Sequence, residues 1–155
     1  MTPEQLFSIA NALAAVSWLL LLLLPRRRWV IDIVTGQVVP ALFAVLYVGL
    51  VVTMFGRAEG GFSTLTGVAT LFTNPWMLLA GWVHYLAFDL LIGTWEVRDA
   101  QARAIPHLLV VPCLILTFLF GPAGWLLYVT VRSARGATTP SSRAGRTPPP
   151  ADPSR

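Results

Sequence analysis

Trp82-Val83-His84-Tyr85-Leu86-Ala87-Phe88-Asp89-Leu90-Leu91-Ile92-Gly93-Thr94-Trp95-Glu96-Val97-Arg98-Asp99 carries a histidine and a carboxylate inside the apolar length of a membrane-spanning segment. Extended back to Pro75, the run to Trp95 covers about 30 Å at the α-helical rise, one bilayer core. Trp76 and Trp95 stand near its ends, where interfacial tryptophans collect. Asn74 and Pro75 read as a capping residue and a first-position proline. A carboxylate at the bilayer centre costs roughly 2.5–3.5 kcal/mol on insertion scales. Asp89 therefore belongs in a bundle interior, where such a group binds something or does chemistry.

Outward from this stretch the chain repeats the apolar theme. Of 155 residues 55% are hydrophobic and 12% charged, about half the charge of an ordinary soluble domain. With a mean hydropathy of +0.69 and several long apolar runs, the expectation is an all-α, multi-pass membrane protein. It would be a bundle of about four transmembrane helices with a disordered C-terminal tail. The spans are expected at about 6–24, 38–55, 75–95 and 106–131, making residues 1–131 the membrane domain. Residues 132–155, rich in Arg, Pro and Ser, form the tail. The segment 56–73, broken by Gly60-Gly61, is expected at the interface or as a re-entrant piece. Pro112 and Gly121-Pro122-Ala123-Gly124 interrupt the last span, giving a kink or an end near Phe120 followed by a short amphipathic piece.

The net charge of +4 is carried by arginine alone and gathers in the tail, which points to anionic headgroups rather than nucleic acid. Cys113 is the sole cysteine, so an intrachain disulfide and a CxxC metal motif are excluded. Met1 to Asn11 contains no basic residue and the first apolar run ends in Pro25-Arg26-Arg27-Arg28, a stop-transfer flank rather than a cleavage site. Arginine counts on alternate loops nearly tie. Arg26, Arg27, Arg28, Arg98 and Arg103 stand against Arg57, Arg132, Arg135, Arg143, Arg146 and Arg155. The triple arginine after the first span favours an outside N-terminus.

The candidate site is the polar set His84, Asp89, Glu96, Asp99 and His107. On a helix Asp89 and Glu96 lie within about 20° of each other, two turns apart on one stripe. His84 sits about 140° round from Asp89 and about 7.5 Å along the axis, so the two would face one elongated cavity from different levels. His107, just after Pro106, is expected near the level of Glu96, where its neutral form could act as a base or metal ligand. Glu96, Asp99 and His107 are the weak metal candidates, although no recognised zinc spacing is present. A haem between His84 and His107 is disfavoured, because about 18 Å separates their levels. No nucleotide cofactor is expected. Each group has a structural alternative: Asn11 and His84 as inter-helix glue, and Glu96 with Arg98, Asp99 and Arg103 as a solvated salt-bridge cluster.

The chain resembles the abscisic-acid-deficient-four family of integral membrane proteins. The likeness rests on Trp82-Val83-His84-Tyr85-Leu86-Ala87-Phe88-Asp89-Leu90, on Ile105-Pro106-His107, and on Phe120-Gly121-Pro122-Ala123-Gly124-Trp125-Leu126-Leu127-Tyr128, and extends loosely over residues 4 to 131. The resemblance implies a four-helix membrane domain and, from plant members, conversion of an epoxy-carotenoid to its allenic isomer. Such a step needs an acid at the epoxide oxygen and a base at the polyene, with no redox partner. On that reading Asp89 is the acid and His84 the base, with Glu96, Asp99, His107 and Asn11 supporting or orienting an apolar isoprenoid or lipid substrate. The bilayer is the certain partner, a homodimer is compatible with the small domain, and a bacterial source would place it in the cytoplasmic (inner) membrane. The competing reading is a non-catalytic accessory or lipid-binding protein. A proton or solute carrier ranks last, since the two halves show no repeat symmetry.

Overall fold

The computed structural model describes residues 1–54 and 56–137. All regular structure among them is helical, and three helices are long and apolar enough to cross a membrane. Their outward faces are apolar too, with Val45 72% and Val52 73% exposed. Helices greasy on every side suit a surrounding solvent of lipid.

Helix α1, Pro3–Leu23, begins three residues before the apolar run because of a local device. Thr2 Oγ1 accepts from Gln5 N at 3.3 Å while Thr2 N donates to Gln5 Oε1 at 2.9 Å, a capping box with Pro3 at the first position. Its inner face is Ala10, Ala14, Ser17, Trp18 and Leu21. The second long apolar element departs from expectation. It starts at Trp29, not Val38, as a π-helical segment, Trp29–Val38, which runs directly into α2, Val39–Met54. Asp32, Thr35 and Gln37 dilute the hydropathy there, yet the first two are satisfied from a later helix. Pro40 is therefore well inside the span. Val39 N bonds Val34 O in the wide register. The next acceptor, Thr35 O, meets Pro40, which has no N–H to give. Thr94 Oγ1 donates to Thr35 O instead, at 3.2 Å.

After a loop and the short helix α3, Leu65–Leu71, helix α4 runs over Pro75–Ala102. Asn74 caps it by accepting from Trp76 N at 2.9 Å and Met77 N at 3.4 Å. Its 28 residues reach about 42 Å and pass well beyond the Trp95 end expected. Every other long element packs on α4, which makes it the central post.

The expected fourth span over 106–131 is instead a hairpin. Helix α5, His107–Phe120, is 14 residues long, about 21 Å and too short for a bilayer core. At Gly121, φ 45°, the chain reverses into α6, Pro122–Ala137. The cross-links give the direction. His107 lies at the C-terminal end of α1, Gly121 lies against Asp89 at the middle of α4, and Tyr128 returns to Asp99. The hairpin thus enters beside the end of α4, turns halfway along it and leaves where it entered. Gly124 permits the tight turn, since a Cβ there would fall 2.0 Å from Thr117 N. Helix α6 continues past Val131 to Ala137, and the rest of the expected tail lies outside the described residues.

This topology breaks the arginine tie. Arg26, Arg27, Arg28, Arg98, Arg103, Arg132 and Arg135 share one end of the bundle, and Arg57 sits at the other.

Candidate functional site

The stripe expected on α4 forms and faces the hairpin. Tyr85, Asp89, Glu96 and Asp99 descend along it, and α5 and α6 supply the opposite wall. At mid-height, the Asp89 carboxyl is half-buried under the hairpin tip, where a Cβ on Gly121 would meet Asp89 Oδ1 at 2.9 Å. Only glycine suits this point, for its positive φ as well as the close approach. Asp89 Oδ2 is buried without a hydrogen-bond partner among the described residues. Tyr85, one turn away, neighbours this carboxyl, and its hydroxyl donates to Phe118 O at 3.3 Å.

Glu96 does not join a solvated cluster. It is 0% exposed, accepts from Thr117 Oγ1 at 2.9 Å, and keeps Oε2 buried without a partner among the described residues. Buried carboxyl oxygens are nearly always bonded, so two such orphans on one stripe mark a functional region or a place for bound water.

The remaining candidates turn out to tie helices together. Asp99 accepts from Tyr128 at 2.7 Å, Arg103 at 2.9 Å and Arg132 at 3.3 Å, clamping α6 to α4. His107 Nε2 lies 2.9 Å from Leu22 O, joining α5 to α1. Asn11 Oδ1 accepts from Trp82 Nε1 at 2.9 Å, joining α1 to α4. Glu96, Asp99 and His107 therefore do not converge, and no group of three or more His, Cys, Asp or Glu capable of holding a metal forms among the described residues.

His84 and Asp89 are not brought together. His84 is exposed on the α2 side, with its ring 5.3 Å from Tyr47 and 4.6 Å from Phe88. It lines a cavity of about 220 Å³ with Tyr47, Phe62, Phe72 and Met77. A larger groove of about 590 Å³ lies on the opposite side of Phe72 and Gly81, between the first turns of α1 and α4. Its walls are aromatic: the Phe7 and Trp82 rings lie tilted with centroids 5.6 Å apart, and those of Trp82 and Tyr85 5.4 Å apart. Glu4 and Ser8 stand among its lining residues near the start of α1, and Tyr85 lies deepest along α4. Asp89, one turn beyond Tyr85 on α4, is not among the groove's lining residues.

Tyr85 was readable in principle, since it precedes Asp89 by four residues on one helical face. Thr117, Phe118 and Gly121 were not, because their place depends on the chain reversing.

Fold and site together define an all-helical protein with three helices long and apolar enough to span a membrane, whose interior carboxyls hang on one central helix. The chain belongs to the ABA DEFICIENT 4-like family, which matches residues 5–128. No curated protein and no solved structure is significantly similar to it.

Proposed function

We propose that the chain is a multi-pass membrane enzyme of the isomerase type, acting on a carotenoid or another isoprenoid by acid–base chemistry at Asp89. One observation carries the reading: the lipid-side aromatic groove leads to Tyr85, and Tyr85 stands beside the carboxyl whose Oδ2 has no partner among the described residues. The family supports an isoprenoid over other lipids. Along α4, the groove from Pro75 to Tyr85 is about 15 Å long, so it takes one end of a long polyene and leaves the rest in lipid.

One carboxyl serves in turn as the acid and the base. The protonated Asp89 carboxyl, helped by the Tyr85 hydroxyl, gives its proton to the epoxide oxygen, and the C–O bond opens. The carboxylate so formed takes a proton from the neighbouring polyene carbon, and the electron pair of that C–H bond closes the new double bond. The acid is regenerated, and substrate and product are isomers. His84 faces the other cavity and has no part in this step. With arginines gathered at one end, that end is cytoplasmic, the N-terminus is outside, and the groove opens in the outer half of the bilayer.

A second reading is favoured by one fact: Asn11, Asp99 and His107 all serve as inter-helix ties. In a non-catalytic lipid-binding protein Asp89 would be a further tie. Expression in a bacterial host that accumulates violaxanthin, with pigment profiling, separates the two. A new allenic pigment that vanishes in inserted Asp89→Asn supports the enzyme. An unchanged profile from inserted wild type refutes that substrate, and activity retained in Asp89→Asn refutes the role of the carboxyl.

A further inference from the structure

A second cavity lies at the arginine-rich end and has a different chemistry. A cleft of about 360 Å³ opens between the loop after α1, the π-helical segment and the last turns of α4, walled by Arg28, Ile31, Asp32, Arg98, Gln101 and Ala102. Trp29, 54% exposed, and Trp95, 36% exposed, stand close to it in sequence on these same elements, which sets its depth at the headgroup belt.

The cleft is held in shape by bonds that leave room for a ligand. Arg98 Nη2 donates to Ile31 O at 3.0 Å and pairs with Asp32 Oδ1 at 3.1 Å. The guanidinium can approach the π-helical backbone because residue 36 is glycine; a Cβ there would fall 2.5 Å from Arg98 Nη2. Gln101 Nε2 donates to Pro25 O and so ties the loop bearing Arg26, Arg27 and Arg28 to α4. Arg28 itself has no ion pair or side-chain hydrogen bond among the described residues. Two guanidiniums thus face one carboxylate, leaving a net positive cleft. Beside it, Trp29 and Ile33 present exposed apolar surface on which acyl chains could lie.

The geometry points to a binding site for a phosphate group, that of an anionic phospholipid headgroup, seated between Arg28 and Arg98. Guanidinium is the side chain best matched to phosphate oxygens. Arg98 is presented rigidly by its bond to Ile31 O, and Asp32 limits affinity by competing for it. The inference is independent of the isomerase reading.

Native mass spectrometry of the full chain, released from mixed phosphatidylglycerol and phosphatidylcholine, tests it. Wild type is expected to retain phosphatidylglycerol preferentially. Arg28→Gln should weaken that retention about tenfold, the worth of one charge-assisted hydrogen bond. Asp32→Asn should strengthen it, because Arg98 stays anchored on Ile31 O while its competitor is gone. Arg57→Gln, at the far end, should change nothing. A general basic surface would respond equally to Arg28→Gln and Arg57→Gln, and that result would overturn the site. Unchanged retention in Asp32→Asn would do the same. Displacement of the lipid by inorganic phosphate at equal concentration would assign the cleft to a soluble phosphate and refute the lipid.

Discussion

Replacing Gly124 by alanine tests the hairpin, the feature that most separates this structure from a simple four-span bundle. The new methyl would fall 2.0 Å from Thr117 N, 2.2 Å from its Oγ1 and 2.4 Å from its Cα. Two of those atoms are backbone, so no rotamer change relieves the clash, and α5 and α6 must separate. Overpacking of this kind costs about 1–3 kcal/mol. Moving Thr117 also breaks its hydrogen bond to Glu96, leaving a fully buried carboxyl without a partner among the described residues at a further cost of about 1–3 kcal/mol. The combined loss of about 2–6 kcal/mol corresponds to a fall in the unfolding midpoint on the order of 5–20 °C for a chain of this size. Gly49→Ala is the control, because a Cβ there meets nothing within 4 Å. Thermal unfolding of both variants in detergent, followed by the loss of the monodisperse peak in size-exclusion chromatography, makes the comparison. Equal midpoints for Gly124→Ala and wild type would mean that α5 and α6 do not pack at this point, and the reversal at Gly121 would be refuted.

Two further outcomes follow from the same geometry. With an impermeant maleimide, Ala102→Cys and Ser133→Cys should label from one side of the membrane and Glu59→Cys from the other; labelling of Ser133→Cys together with Glu59→Cys would show a full fourth crossing. Thr94→Val should strip Thr35 O of its donor at a cost of about 1–3 kcal/mol. Hydrogen exchange in Trp29–Val38 should then accelerate, while that of α1 stays constant; uniform acceleration would refute a local role for Thr94.

Much of the fold was legible because its causes are local. The apolar lengths of α1 and α4, the Asn74-Pro75 start and the Asp89–Glu96 stripe depend on helical periodicity and capping, which neighbouring residues decide among themselves. Reading fails where a polar group finds its partner far along the chain. Asp32 and Thr35 look like the end of an apolar run, yet Arg98 and Thr94, about sixty residues on, satisfy them and let the span begin at Trp29. Glu96 looks interfacial by its position beside Trp95 and Arg98, yet the hairpin covers it completely.

Gly121-Pro122 shows the division most sharply. Its composition marks a break, and that much is intrinsic to a glycine followed by a residue without an N–H. Whether the chain kinks, ends or reverses there is not a local matter. Reversal is supported because Thr117 donates to Glu96 and Tyr128 to Asp99 across α4, α5 and α6, bonds that lipid could not supply. The sequence by itself therefore determined where α1 and the start of α4 form and which residues are polar within them. The tertiary structure alone decided which carboxyls are enclosed, that His84 lines a cavity while Asp89 lies under the hairpin tip, and that the arginines share one end, because each depends on which faces α4 turns to its neighbours.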